Sequence, residues 1–150
     1  MAEIGFYHLR SMPLERALPS ILERGVAAGH RIVVIAGSSE RVEHLNDLLW
    51  TYSDASFLPH GSARDGNAER QPIWLTAGDE NPNAATMVVL VDGASSAGLA
   101  GYQRCCDIFD GNDASAVEAA RQRWKAAKEA GHQLVYWEQS DGKWERRSTG

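Results

Sequence analysis

Residues 29–50 read GHRIVVIAGSSERVEHLNDLLW, and this stretch decides the fold. Residues 31–36 (RIVVIA) form a continuous apolar run rich in β-branched side chains, the pattern of a strand covered on both faces. Gly37, Ser38 and Ser39 then break the run, and either serine can cap a helix that extends to about Trp50. Val42, Leu45 and Leu49 recur at helical spacing and give that helix one inward face. Upstream, residues 4–8 (IGFYH) predict a short strand. Leu14, Leu18, Ile21, Leu22 and Val26 predict a helix that Pro13 or Pro19 opens and Gly29 closes. A proline inside a helix removes one hydrogen bond, so this helix either begins near Leu18 or bends there.

Downstream, residues 51–72 are irregular and rich in Asp, Ser, Gly, Asn and Pro. Residues 72–76 and 87–92 predict two further strands, separated by the turn-forming run 78–84, and residues 102–109 predict another. Residues 114–130 form a strongly periodic helix ended by Gly131, and residues 133–138 and 143–146 read as a terminal strand pair around the tight-turn signal Asp141-Gly142. Strands that alternate with helical crossovers require a mostly parallel sheet. The expectation is an α/β fold, a Rossmann-like three-layer domain with a mostly parallel central sheet, occupying residues 1–150 as one unit.

Composition agrees with that reading. The chain has 150 residues, of which 43% are hydrophobic and 23% charged, ordinary for a globular domain of this size. Its longest strongly apolar run, residues 87–91, is far shorter than the ~20 residues of a membrane span. With an N-terminus that enters a strand at once, the expected location is cytoplasmic, with no membrane partner. The net charge is −5, which argues against direct nucleic-acid binding. The charge is uneven, however. Residues 1–120 carry 8 Lys+Arg against 16 Asp+Glu, whereas residues 121–150 carry 7 against 4, including every lysine of the chain. An acidic body with a basic end suits a localised acidic partner.

Motifs for chemistry are sparse. Cys105 and Cys106 are adjacent, so on a strand they point to opposite faces and read as inert core residues. The five histidines show no metal-ligand spacing, and His30 and His132 follow glycines where they can cap helix ends. No metal and no cofactor is expected. The first strand-to-helix turn, residues 8–13, contains no glycine, and both nucleotide-binding glycine fingerprints are absent. The turn Gly37–Ser39 could hold an anion at a helix N-terminus, although Glu40 would repel it. Asp92, Asp107 and Asp110 lie near predicted strand ends, where open α/β sheets bind ligands. A small nucleotide-binding α/β enzyme using that turn and those aspartates is the alternative reading, and direct DNA binding through the C-terminal basic residues is a third.

Two surfaces stand out instead. On the helix 114–130, Val117, Ala120, Trp124 and Ala127 should face the sheet. Arg121, Lys125 and Lys128 form a cationic row ~40° round from that stripe, while Arg123 lies elsewhere. Such a row is either a solvated face or a dock for an acidic peptide with an aromatic end, which would sit beside Trp124. In residues 48–61 (LLWTYSDASFLPHG), Trp50, Tyr52, Phe57, Leu58 and Pro59 form an aromatic cluster that either closes the core or meets a protein partner.

These motifs resemble the chi subunit family of bacterial DNA polymerase III. The residues that carry the likeness are Phe6-Tyr7-His8-Leu9, the run 29–34, Leu49-Trp50-Thr51-Tyr52, the run 56–61 (SFLPHG), Asp107-Ile108-Phe109-Asp110 and the helix segment 121–132. The resemblance implies a non-catalytic replication accessory subunit of the clamp-loader assembly. Such a subunit binds the acidic, phenylalanine-ended C-terminal tail of single-stranded DNA-binding protein, reaching DNA only indirectly. It further implies a tail-binding role for Arg121, Trp124 and Lys125, with Phe109 as a pocket wall. Trp50 and Phe57 would contact the psi subunit or another clamp-loader component. The chain departs from the family at Val117, where a further basic residue can occur, and Lys128 can compensate from the other side.

Overall fold

The computed structural model describes residues 3–52, 58–140 and 143–149. Among the described residues, eight strands form a single sheet: β1 (Glu3–Leu9), β2 (Ile32–Ile35), β3 (Gly61–Ser62), β4 (Ile73–Thr76), β5 (Met87–Leu90), β6 (Arg104–Asp110), β7 (Gln133–Ser140) and β8 (Lys143–Thr149). Their order across the sheet is β3-β4-β2-β5-β6-β1-β7-β8, and every pairing is parallel except the terminal β7–β8. Three α-helices, α1 (Leu14–Ala27), α2 (Ser39–Thr51) and α3 (Ala114–Glu129), complete the α/β architecture expected from the sequence, a Rossmann-like three-layer fold.

The two faces of the sheet follow from strand parity. Ile32 and Val34 of β2 pack with Leu18, Leu22 and Leu45 of α1 and α2. Val33 and Ile35 point the other way and join Ala120 and Ala127 of α3. The adjacent cysteines divide in the same manner: Cys106 lies in the first cluster and Cys105 in the second. Both thiols are free and buried, as residues of a packed core.

Local chemistry fixes the helix boundaries. α1 begins directly after Pro13 and runs through Pro19, which is buried within it. Of the two openings that the sequence allowed, the structure takes the earlier and forfeits one backbone bond at Pro19. Ser38 caps α2 by accepting from the amide of Arg41. Asp113 caps α3, accepting from the amides of Ser115 and Ala116. The Ser115 hydroxyl, together with the Ala116 and Ser115 amides, pulls the Asp113 carboxyl below the usual carboxylate range. Gly29 and Gly131 follow α1 and α3 with φ of 91° and 87°, the left-handed conformation in which a helix commonly ends.

Several expectations are refined. The irregular stretch 51–72 contains the edge strand β3, which the sequence reading passed over because only two of its residues pair. β8 extends to Thr149, three residues beyond the expected end. The His30 ring meets the Thr86 hydroxyl at 2.8 Å rather than the carbonyls of the preceding helix. Asp107 sits inside β6 and not at its end. The turn residues 141 and 142, like residue 57, lie outside the described residues.

Candidate functional site

β6, β1 and β7 are neighbours, and their registers build the surface under α3. Phe6 pairs with Asp107 on one side and Tyr136 on the other, and His8 pairs with Phe109 and Glu138. In-register parallel partners share a face, so Phe6, His8, Asp107, Phe109 and Tyr136 all point toward α3. Trp124 descends from α3 between two of them. Its ring meets Phe6 edge-on at 5.2 Å and Tyr136 at 5.8 Å. Phe109 lies 6.2 Å from Tyr136, and the His8 ring sits 5.2 Å from Phe109.

The aromatic group does not close over itself. It leaves a hollow of about 240 Å³ lined by Phe109, Val117, Ala120, Arg121, Trp124 and Tyr136. Three of the residues singled out from sequence, Phe109, Arg121 and Trp124, therefore meet in one place. Arg121 stands at the mouth, its side chain 74% exposed and only 3.7 Å from Glu118, an exposed pairing of little strength. Lys125 and Lys128 are exposed on the same helix but flank the hollow rather than line it. Burial and the Glu138 charge raise the Tyr136 hydroxyl's pKa, while Arg121 and Arg10 oppose them. Both cations thus act on the phenol. No motif in the sequence marks Tyr136; the alternation Leu134, Tyr136 along β7 gives its face but not its neighbours.

Arg123 performs a different task. Its guanidinium holds the Asp107 carboxylate through Nε at 2.6 Å and Nη2 at 3.0 Å. The Asp107 side chain is 3% exposed, and burial raises its pKa, with Arg123 pulling it partly back. This pair ties α3 to the sheet one residue before Trp124.

In the strand-end region, Arg10 and Arg41 pair with carboxylates of the chain. A crevice of about 700 Å³ opens at the ends of β1 and β6, lined by Arg10, Arg41, Asp92 and Asp113 among others. Asp92 accepts from the Gly37 amide at 3.3 Å and from Arg41 Nε at 3.1 Å, so a carboxylate of the chain stands where a phosphate would bind the Gly37–Ser39 turn. Arg41 also reaches Glu15 at 3.1 Å, and Arg10 pairs with Glu138. Asp110 accepts from the Asn112 amide. Among the described residues, no group of three or more His, Cys, Asp or Glu could hold a metal ion.

On the far side of the sheet, Trp50 is 50% exposed, the one large hydrophobic side chain so exposed among the described residues. Its ring lies 4.5 Å from that of His60, which is buried with Nδ1 on the Leu58 carbonyl and Nε2 on the Asn46 carbonyl. Phe57, expected beside it, falls outside the described residues.

Fold and site together define a Rossmann-like α/β protein whose Gly37–Ser39 turn is occupied by its own carboxylate and which carries an aromatic hollow with Arg121 at its mouth. The chain belongs to the family described as "DNA polymerase III chi subunit, HolC", whose model matches residues 1–135. It is also 32% identical over 91 residues to the "Probable DNA polymerase III subunit chi" of Rickettsia prowazekii (strain Madrid E), a match that spans 61% of this chain and 55% of that relative. The match thus covers about half the relative's length. The family is one of replication accessory subunits. Among the described residues, no helix is long and apolar enough to cross a membrane.

Proposed function

We propose that this chain is a non-catalytic, cytoplasmic subunit that links the DNA polymerase III clamp-loader complex to single-stranded DNA-binding protein by capturing its acidic C-terminal tail. The terminal phenylalanine enters the hollow between Phe109, Trp124 and Tyr136. Arg121 takes the terminal carboxylate, and Lys125 and Lys128 receive the acidic residues upstream. The observation that carries this reading is the convergence of three aromatic rings and one exposed guanidinium on a single open hollow. Its volume suits one aromatic side chain, and a planar, donor-rich guanidinium suits a carboxylate. DNA is reached through the partner. The exposed Trp50, with Phe57, forms the contact for the psi subunit or another clamp-loader component.

The test is a titration of a labelled acidic, Phe-terminated peptide. Binding should be weakened by salt, because exposed pairs are screened over ~8–10 Å at physiological ionic strength. Arg121→Ala and Lys125→Ala should each weaken it. Unchanged affinity in both variants overturns the site.

A further inference from the structure

We propose that His8 is a positioning residue of this hollow: its ring sets the proton on the Tyr136 hydroxyl, so that the site holds an acidic, aromatic-ended peptide more tightly in mild acid than at neutral pH. The inference rests on the tail-capture reading and adds a regulation to it. It depends on two residues to which neither the sequence reading nor the family resemblance gives a role, and Tyr136 lies beyond the stretch that the family model matches.

The geometry is closely determined. His8 Nδ1 and the Tyr136 hydroxyl are 2.5 Å apart. Phe109 packs against one side of the imidazole, and Gly111 lies so near its Cδ2 and Nε2 that any side chain at 111 would overlap the ring. The imidazole is thus packed between Phe109 and Gly111 with Nδ1 turned to Tyr136. The charged groups that act on the pair come from every side: Glu138 on β7, Asp110 at the end of β6, Arg10 beyond β1, and Arg121 of α3 through the phenol.

Burial, the largest influence, lowers the His8 pKa below its ordinary value of 6.5, so the ring is neutral at pH 7. A phenol is a stronger acid than imidazole and a poorer acceptor, so neutral His8 accepts at Nδ1 and the Tyr136 proton is spent inside the protein. Once His8 is protonated, Nδ1–H donates instead. The Tyr136 oxygen becomes the acceptor, and its own hydrogen is released toward the hollow, where Arg121 also points. A ligand carboxylate then gains a hydrogen-bond donor and a nearby positive charge. Both changes favour the bound anion. By linkage, binding must raise the His8 pKa by the same free energy.

Fluorescence anisotropy of the labelled acidic, Phe-terminated peptide on the full chain, from pH 7.5 to 5.0, reads the effect. This window spans the ordinary histidine value of 6.5, below which burial moves His8, and stays above the ~4 at which the peptide's own carboxylates protonate. Affinity should rise about fivefold across it, corresponding to ~1 kcal/mol. His8→Gln and Tyr136→Phe should both lose the rise, and in the unaltered protein the His8 ring proton resonance should titrate at higher pH with peptide bound than without. A flat profile in the unaltered protein, or an equal rise in His8→Gln and Tyr136→Phe, overturns the proposal while leaving tail capture standing. No binding at any pH overturns both.

Discussion

Replacing Arg123 with methionine isolates the contact that holds α3 against the sheet. Arg123 is 19% exposed and Asp107 3%, so the two partners are unequally placed to survive alone. Without the guanidinium, the Asp107 carboxylate stays sealed beneath α3, and stranding a buried charge costs ~3–5 kcal/mol. Removing the charge from the other side, with Asp107→Asn, leaves an arginine that can turn to water, at a cost of ~1–3 kcal/mol. Arg123→Met should therefore be the more damaging, lowering Tm by ~10–15 °C for a chain of this length. The pH dependence follows from the direction of the Asp107 shift. A carboxyl whose folded pKa lies above its unfolded value binds its proton more tightly in the native state, so stability is lost as pH rises between the two values. In Arg123→Met the lowering influence of the guanidinium is gone, and the folded pKa climbs further. The deficit against the unaltered protein should be small near pH 4.5 and complete by neutrality. Urea unfolding of all three proteins at pH 4.5 and 7.5 measures this. A deficit below ~1 kcal/mol at pH 7.5, or one equal at both pH values, refutes the reasoning.

Three other outcomes are expected. Gly111→Ala should destabilise by ~3 kcal/mol, because the added carbon would overlap the Leu9 carbonyl oxygen as well as the His8 ring, and backbone cannot rotate aside; chemical denaturation reads it directly. Neither cysteine should react with a thiol reagent at pH 8 in the native protein, since burial pushes Cys105 up to about 12 and raises Cys106 as well, whereas both should react in denaturant. Asp113→Ala should destabilise the protein modestly by stripping the start of α3 of its cap, visible as a lower urea midpoint.

The fold was legible because its signals are local and periodic. Residues 31–36 announce a doubly covered strand, and β2 is buried at all four of its positions. The spacing of Trp124 and Arg121 already separated the packed side of α3 from its cationic row. What could not be read were features that exist only across strands. Tyr136 enters the site because β7 lies beside β1 in a register that sets it opposite Phe6, and nothing within residues 133–138 alone specifies that neighbour. Asp107 looked like a strand-end ligand because the end of β6 was placed one residue early and its partner Arg123 is sixteen residues away. The same non-local pairing decides the Gly37–Ser39 turn: its anion is Asp92, fifty-five residues on from Gly37.

These pairings change the meaning of the charge along α3. The sequence shows four cations between residues 121 and 128, and a helix so basic on an acidic body invites a nucleic-acid reading. Arg123 is consumed by Asp107 and contributes no net charge to the surface. Arg121, Lys125 and Lys128 remain, on one exposed flank, against a chain whose first 120 residues carry twice as many acidic as basic groups. A polyphosphate backbone laid across that body would meet repulsion wherever it left the helix, because its charge repeats along its whole length. A short acidic peptide ending in a hydrophobe has its charge confined to a few residues and its apolar surface at one end. It can place the first on the three cations and the second in the hollow without crossing the acidic remainder. On the function proposed above, this distribution of charge favours a tail over a strand.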